Sequence, residues 1–102
     1  MVTDDHAEAG ELLGLIADRT RRLILLFLMA GPARVRDMAV GMPVSRPGVS
    51  RQLACLLEAG LVVRRRQGGV FVYQLNPDRL AAVTVLVDAL RAAPHAARAA
   101  AA

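Results

Sequence analysis

Val44 to Leu75 reads VSRPGVSRQLACLLEAGLVVRRRQGGVFVYQL, and the order of residue types in that stretch decides the fold. Ser45 is a good helix N-cap, and Pro47 falls in the first turn, where a missing N–H costs nothing. Val49, Leu53, Leu56 and Leu57 then recur at three- and four-residue spacing, the buried stripe of a helix running to about Ala59, with Gly60 as its C-cap. Arg46, Ser50, Arg51 and Ala54 lie mainly off that stripe. Val62 to Gln67 and Val70 to Leu75 are β-type runs separated by Gly68-Gly69, a hairpin signal. A capped helix, a glycine stop, an arginine-loaded strand, a tight turn and a second strand predict the second half of a helix-turn-helix followed by a β-wing.

Upstream, Leu12, Leu13, Leu15 and Ile16 mark a first helix over about Ala7 to Ala17. A second runs from about Thr20 to Met29 and stops at Gly31-Pro32. Its apolar residues, Leu23 to Leu28, lie nearly all round, which predicts a central position. A short third helix, about Arg34 to Val40, has Val35, Met38 and Ala39 at inward spacing. Downstream, Asn76 is the expected cap and Pro77 the N1 residue of a last helix reaching about Ala92. Within it Leu80, Val83, Val87 and Leu90 form a heptad-like seam, read as a dimer contact or, alternatively, as an ordinary core-facing stripe. The predicted class is mainly α with a β-hairpin wing: a winged helix-turn-helix of about five helices and two antiparallel strands. Residues 1–93 form one domain in this reading, and residues 94–102 an Ala-rich C-terminal tail.

Composition narrows the function. A chain of 102 residues makes one domain, marginal as a monomer. Aromatic residues are only 3%, too few for the stacking platform of a single-strand binder. Residues 1–18 hold five acids and no arginine, whereas the remainder holds all 13 basic residues against four acids. That polarity points to a polyanionic partner. Every basic residue is arginine, which suits bidentate contact with phosphate and guanine edges, although a GC-rich coding bias produces the same preference. The acidic N-terminus is no signal peptide, and the longest apolar run, Leu23 to Gly31, is roughly half a membrane span. A single cysteine, Cys55, forms no intrachain disulfide, consistent with a cytoplasmic protein.

With those residues in hand, two blocks resemble the ArsR/SmtB family of small bacterial winged-helix repressors. LIADRTRRLILLFL (Leu15 to Leu28) is similar to the family's first helix pair, with Arg19 where proline is usual. VSRPGVSRQLACLLEAGLV (Val44 to Val62) is similar to its recognition helix and the turn leaving it, with Gln52 where histidine is most common. With the wing, the likeness spans roughly Leu12 to Leu90. It implies a homodimer, paired through the first and last helices and binding a palindromic operator in double-stranded DNA. The dimer residues so expected are Leu12, Leu15, Leu80, Val83, Val87 and Leu90.

The residues carry a DNA reading of their own. A helix of this length fits the major groove with its N-terminal residues nearest the base edges, here Ser45, Arg46, Ser50, Arg51 and Gln52. Arg46 or Arg51 would pair a guanine edge and Gln52 an adenine. On the wing, Arg64 and Arg66 share one strand face and Arg65 the other, while Gly68 and Gly69 let the tip approach the minor groove or its phosphates. The alternatives are solvated helix residues and a charged strand edge that discourages sheet pairing. At the level of function they become a winged-helix protein-interaction module or a non-specific architectural DNA binder.

A sensor is harder to find. The family's metal box places cysteine-x-cysteine in the third helix, and the matching ARVRDM (Ala33 to Met38) has none. The alternative zinc site, anchored on Asp78, would fall on Leu80, Arg91 and Pro94. His6 and His95, the only histidines, sit near opposite ends, so no metal and no cofactor are expected. Cys55, on the recognition helix among arginines, is the remaining candidate thiol switch; its other reading is a small hydrophobe on the helix flank. No glycine-rich phosphate loop, HExxH or Cys/His pairing points to an enzyme. Any small-molecule effector is unknown from the sequence.

Overall fold

Asp18 turns the chain from its first helix into its second. In the computed structural model, which describes residues 3–94, α1 (Ala7–Ala17) ends at Asp18 and α2 (Arg19–Leu28) begins there. The Asp18 carboxylate accepts the Arg21 backbone N–H at 3.0 Å, satisfying a donor that the helix leaves free. Arg19 thus occupies N1, the place where proline is best tolerated, so the departure from the usual family pattern leaves the cap intact. After α3 (Val35–Ala39), Ser45 caps α4 (Arg46–Glu58) by accepting from the Gly48 N–H at 3.4 Å.

The exit from α4 is a Schellman motif. Gly60, at φ +78°, donates to the Leu57 carbonyl, and Leu61 donates to Leu56, both at 3.0 Å. Leu56 and Leu61 are both buried, which completes the motif's apolar contact. The chain then enters β1 (Val62–Gln67) and β2 (Val70–Leu75), antiparallel with Val62 opposite Leu75 and Gln67 opposite Val70. Gly68 and Gly69 have φ of +60° and +83°, the two left-handed positions that a type I′ turn demands. Ala33 pairs with Tyr73 across the outer side of β2, with N···O distances of 2.8 and 3.0 Å. β2 is therefore held on both sides, and the arginine-bearing β1 is the edge.

One core unites these elements. Leu12 of α1, Ile24 and Leu28 of α2, Met38 of α3, Val49, Leu53 and Leu56 of α4, and Leu61, Val62 and Tyr73 of the hairpin form one buried cluster. The predicted α4 stripe is its centre. Two expectations are corrected. α2 packs on α1, α4 and β2 but is not enclosed: Leu26, Phe27 and, just past its end, Met29 are exposed. Asn76 does not cap the last helix. Its side-chain N–H donates to the Gly60 carbonyl at 2.9 Å and its backbone N–H to Leu61 at 3.0 Å, closing the hairpin base against the α4 exit. Pro77–Leu80 consequently forms a 3-10 turn, and α5 proper is Ala81–Ala92. His95 and nearly all of the expected tail lie outside the described residues. Among those described, no helix is long and apolar enough to cross a membrane.

Arg79, in the 3-10 turn, ties three segments together. Its Nε donates to the Ala59 carbonyl at 2.8 Å, and its Nη1 pairs with Glu8 of α1. The first contact places a cation on an orphan carbonyl at the α4 C-terminus, where the helix dipole also favours it. Arg79→Met should therefore lower unfolding free energy by about 1–2 kcal/mol in urea titrations. An unchanged midpoint would show that the contact stabilises nothing.

Candidate nucleic-acid interface

Burying Val49, Leu53 and Leu56 turns the opposite face of α4 outward, and Ser45, Arg46, Ser50 and Arg51 are all exposed there. Gln52 does not join them. It is half-buried, and its Oε1 accepts a hydrogen bond of 3.0 Å from Arg21 Nη1 on α2. Recognition of an adenine edge uses both ends of the carboxamide, and this oxygen is already engaged. The cause is position: Gln52 follows Val49 by three residues and precedes Leu56 by four, so it borders the buried stripe.

On the wing, strand register places Arg64 opposite Tyr73 and Arg66 opposite Phe71, on one sheet face. Arg65, opposite Val72, faces the other way. The Phe71 ring carries both arginines of its face, with guanidinium carbons 4.2 Å (Arg64) and 4.9 Å (Arg66) from its centroid. Two like charges share one ring, and neither they nor Arg46, Arg51 or Arg65 pairs with a carboxylate among the described residues. Two such cations on α4 and three on the hairpin, on both of its faces, leave these elements electropositive.

The wing and the helix-turn-helix meet around a hollow of about 350 Å³. Arg34 and Arg36 of the α3 segment and Arg46 of α4 rim it, and Val35, Val70, Phe71 and Tyr73 line it. An apolar floor with a guanidinium rim matches the alternation of sugar and phosphate along a nucleic-acid strand. Arg34 and Arg36 are not among the residues expected from the sequence, where ARVRDM shows a helix with Val35 and Met38 inward and no cysteine. Their spacing on either side of Val35 was the available signal. Both approach Asp37, at 3.5 and 3.8 Å, in half-exposed pairs of the kind that contribute little.

The helices at the other end separate the expected dimer residues. Leu12 is 1% exposed and fills the protomer's own core, so it has no surface to offer a partner. Leu15, Leu80 and Val83 are half-buried against that core, while Val87 and Leu90 are exposed. Leu13 of α1 and Val85 of α5, which falls outside the three-four repeat, are exposed as well. α5 packs on α1 yet contains no buried residue at all. Cys55 is exposed on α4 rather than tucked into its flank. Among the described residues, no three His, Cys, Asp or Glu side chains gather as metal ligands.

Residues 18–63, which span α2 to the start of the wing, match the model of the bacterial regulatory protein arsR family. Over 73 residues the chain is 47% identical to the HTH-type transcriptional regulator Rv2034 of Mycobacterium tuberculosis, covering 72% of this chain and 68% of that protein. The chain belongs to the ArsR family. A second ArsR-type relative is the arsenical resistance operon repressor of Escherichia coli, 35% identical over 79 residues, with 76% of this chain and 68% of the repressor covered. Among solved structures, a possible transcriptional regulator for arsenical resistance superposes with a TM-score of 0.70 at 35% identity, covering 87% of this chain and 92% of that one. ArsR membership makes the chain a DNA-binding transcriptional regulator.

Phe71 holds two arginines in place before any DNA arrives, which reduces the ordering cost of binding. Phe71→Ala should weaken duplex binding roughly 5- to 30-fold, the equivalent of about 0.5–1 kcal/mol for each cation–π contact. Phe71→Leu, which keeps the apolar body without the ring, should lose nearly as much. Full affinity in the leucine variant, by fluorescence anisotropy, would remove the ring from the interface.

Proposed function

We propose that this ArsR-family chain is a homodimeric repressor that binds a palindromic operator in double-stranded DNA in the cytoplasm. The observation that carries the reading is α5: an apolar helix with no buried residue, presenting Val85, Val87 and Leu90 to solvent. A helix of that composition is stabilised by a partner, and an isologous pairing of α5 with α1 covers the same patch on both copies. Two-fold symmetry would then set the two α4 helices roughly 34 Å apart, one helical turn of DNA.

Within each half-site, Arg46, Ser50 and Arg51 approach the base edges. Arg64, Arg65, Arg66 and the Gly68-Gly69 tip follow the backbone and minor groove, and Arg34 and Arg36 flank the phosphates from α3. Gln52 positions α4 through Arg21 in this account instead of reading a base. The arsenical resistance in the relatives' names is not carried over, since residues 33–38 hold no thiol and Cys55 is the single cysteine.

Selection of bound sequences from a random duplex library at near-physiological salt tests the whole reading. An enriched inverted repeat with half-sites about one helical turn apart is expected. Binding without enrichment would replace the repressor with an architectural protein, and no binding would turn the arginine face toward an acidic protein. On the recovered operator, Arg51→Ala should cost specific binding about 10- to 100-fold and non-specific binding far less. Equal losses on both DNAs would reassign Arg51 to a phosphate. Val87→Asp combined with Leu90→Asp should yield monomers in sedimentation with much weaker operator binding, because charges would enter an apolar contact. An unchanged dimer mass would refute the α5 interface.

A further inference from the structure

A second hollow, of about 370 Å³, shares no residue with the arginine-rimmed one. Leu25 and Leu26 of α2, Met29 at its C-cap, Leu61 and Leu75 at the hairpin base, and Leu80 of the 3-10 turn wall it. Arg22 is the one charged residue lining it. Arg22 has no carboxylate partner among the described residues; its Nη1 instead donates to the carbonyls of Ile16 and Ala17, at 3.1 and 3.0 Å. The volume lies in the range of small-molecule sites, which pair apolar walls with a few placed polar groups.

We propose that this hollow binds a small amphipathic carboxylate, with its apolar body against Leu25, Leu61 and Leu75 and its anionic head on Arg22. A single planar guanidinium complements a monoanionic carboxylate in charge and geometry. A second copy of the chain is the competing occupant. The exposed α5 residues that favour pairing, Val85, Val87 and Leu90, all lie outside the hollow. Of the six residues expected at a dimer contact, only Leu80 also lines the hollow, and there it is half-buried against the core.

The site also sits where occupancy would be felt. Arg21, next to Arg22, donates Nε to the Leu15 carbonyl at 2.8 Å and Nη1 to Gln52 on α4. Two consecutive arginines therefore hold the last carbonyls of α1, and one of them continues to the DNA-facing helix. A carboxylate that draws Arg22 off Ile16 and Ala17 loosens the segment on which Arg21 is anchored. Its effect on DNA affinity rests on the function proposed above; binding itself does not.

The test is calorimetric titration of the full chain, without DNA, using octanoate and the neutral 1-octanol as probes. Saturable binding is expected at one octanoate per chain, at least tenfold tighter than octanol. Arg22→Gln should bring the two probes to parity. Leu26→Trp, at a half-exposed position on the wall, should abolish both while leaving the oligomeric mass unchanged. No saturable octanoate binding, or binding indifferent to Leu26→Trp, would overturn the site. A loss of oligomeric mass in Leu26→Trp would overturn it too, by giving the surface to a second copy. Saturating octanoate should then change duplex affinity at least fivefold, and no change would overturn the coupling through Arg21. Octanoate binding by a chain that binds no duplex would leave the site standing and refute the DNA reading alone.

Discussion

Everything in this molecule is arranged around the burial of one stripe of α4. Val49, Leu53 and Leu56 are wholly removed from water by Ile24, Leu28, Met38 and the first residues of β1. A helix fixed on one side by side chains that cannot rotate out has its other side fixed as well, so the outward direction of Arg46, Ser50 and Arg51 follows from packing. The same burial aims the exit of the helix. With Leu56 and Leu61 both buried beneath the Gly60 turn, the hairpin starts in a determined direction, and Phe71 comes to line the same hollow as Arg46. Truncation of a core leucine to alanine here, at about 2–5 kcal/mol, would disturb binding through geometry without touching a cation.

The elements that sequence expresses through local chemistry were legible. Ser45, Pro47 and Gly60 bound α4, and the Gly68-Gly69 pair fixes both strands, because each is a demand for particular backbone angles that few residues meet. The shared face of Arg64 and Arg66 followed from the two-residue strand period. What escaped depended on contacts between distant segments. Asn76 looks like a cap until the α4 exit offers it a carbonyl, and Gln52 looks solvated until Arg21 reaches across from α2. α2 reads as central because periodicity reports which residues are apolar but not which of them find a neighbour. The Phe71 platform was hidden for a related reason, since strand pairing sets Arg66 opposite the ring but carries no sign that Arg64, opposite Tyr73, also lies over it.

The two ends of the protomer have opposite surface chemistry. One presents cations without counterions, and the other presents an apolar helix without a cover. Each is unfavourable in isolation, the first through self-repulsion and the second through hydration. Each would be relieved by a different class of partner. Besides the common core, Arg21 and Arg22 link the two ends, holding the last carbonyls of α1 and, through Gln52, reaching α4.

The pairing of Ala33 with Tyr73 has a consequence for the order of folding. Those two bonds join positions on either side of the helix-turn-helix, so α3, α4 and the wing form a closed ring in space. Closing it means ordering a long intervening stretch before the bonds can form, an entropic cost that local helix contacts do not share. The last strand pairing should therefore lock late, on top of an already collapsed helical core. Once locked, the wing ceases to be an appendage: it opens together with the recognition helix, and the two should share one rate of amide exchange.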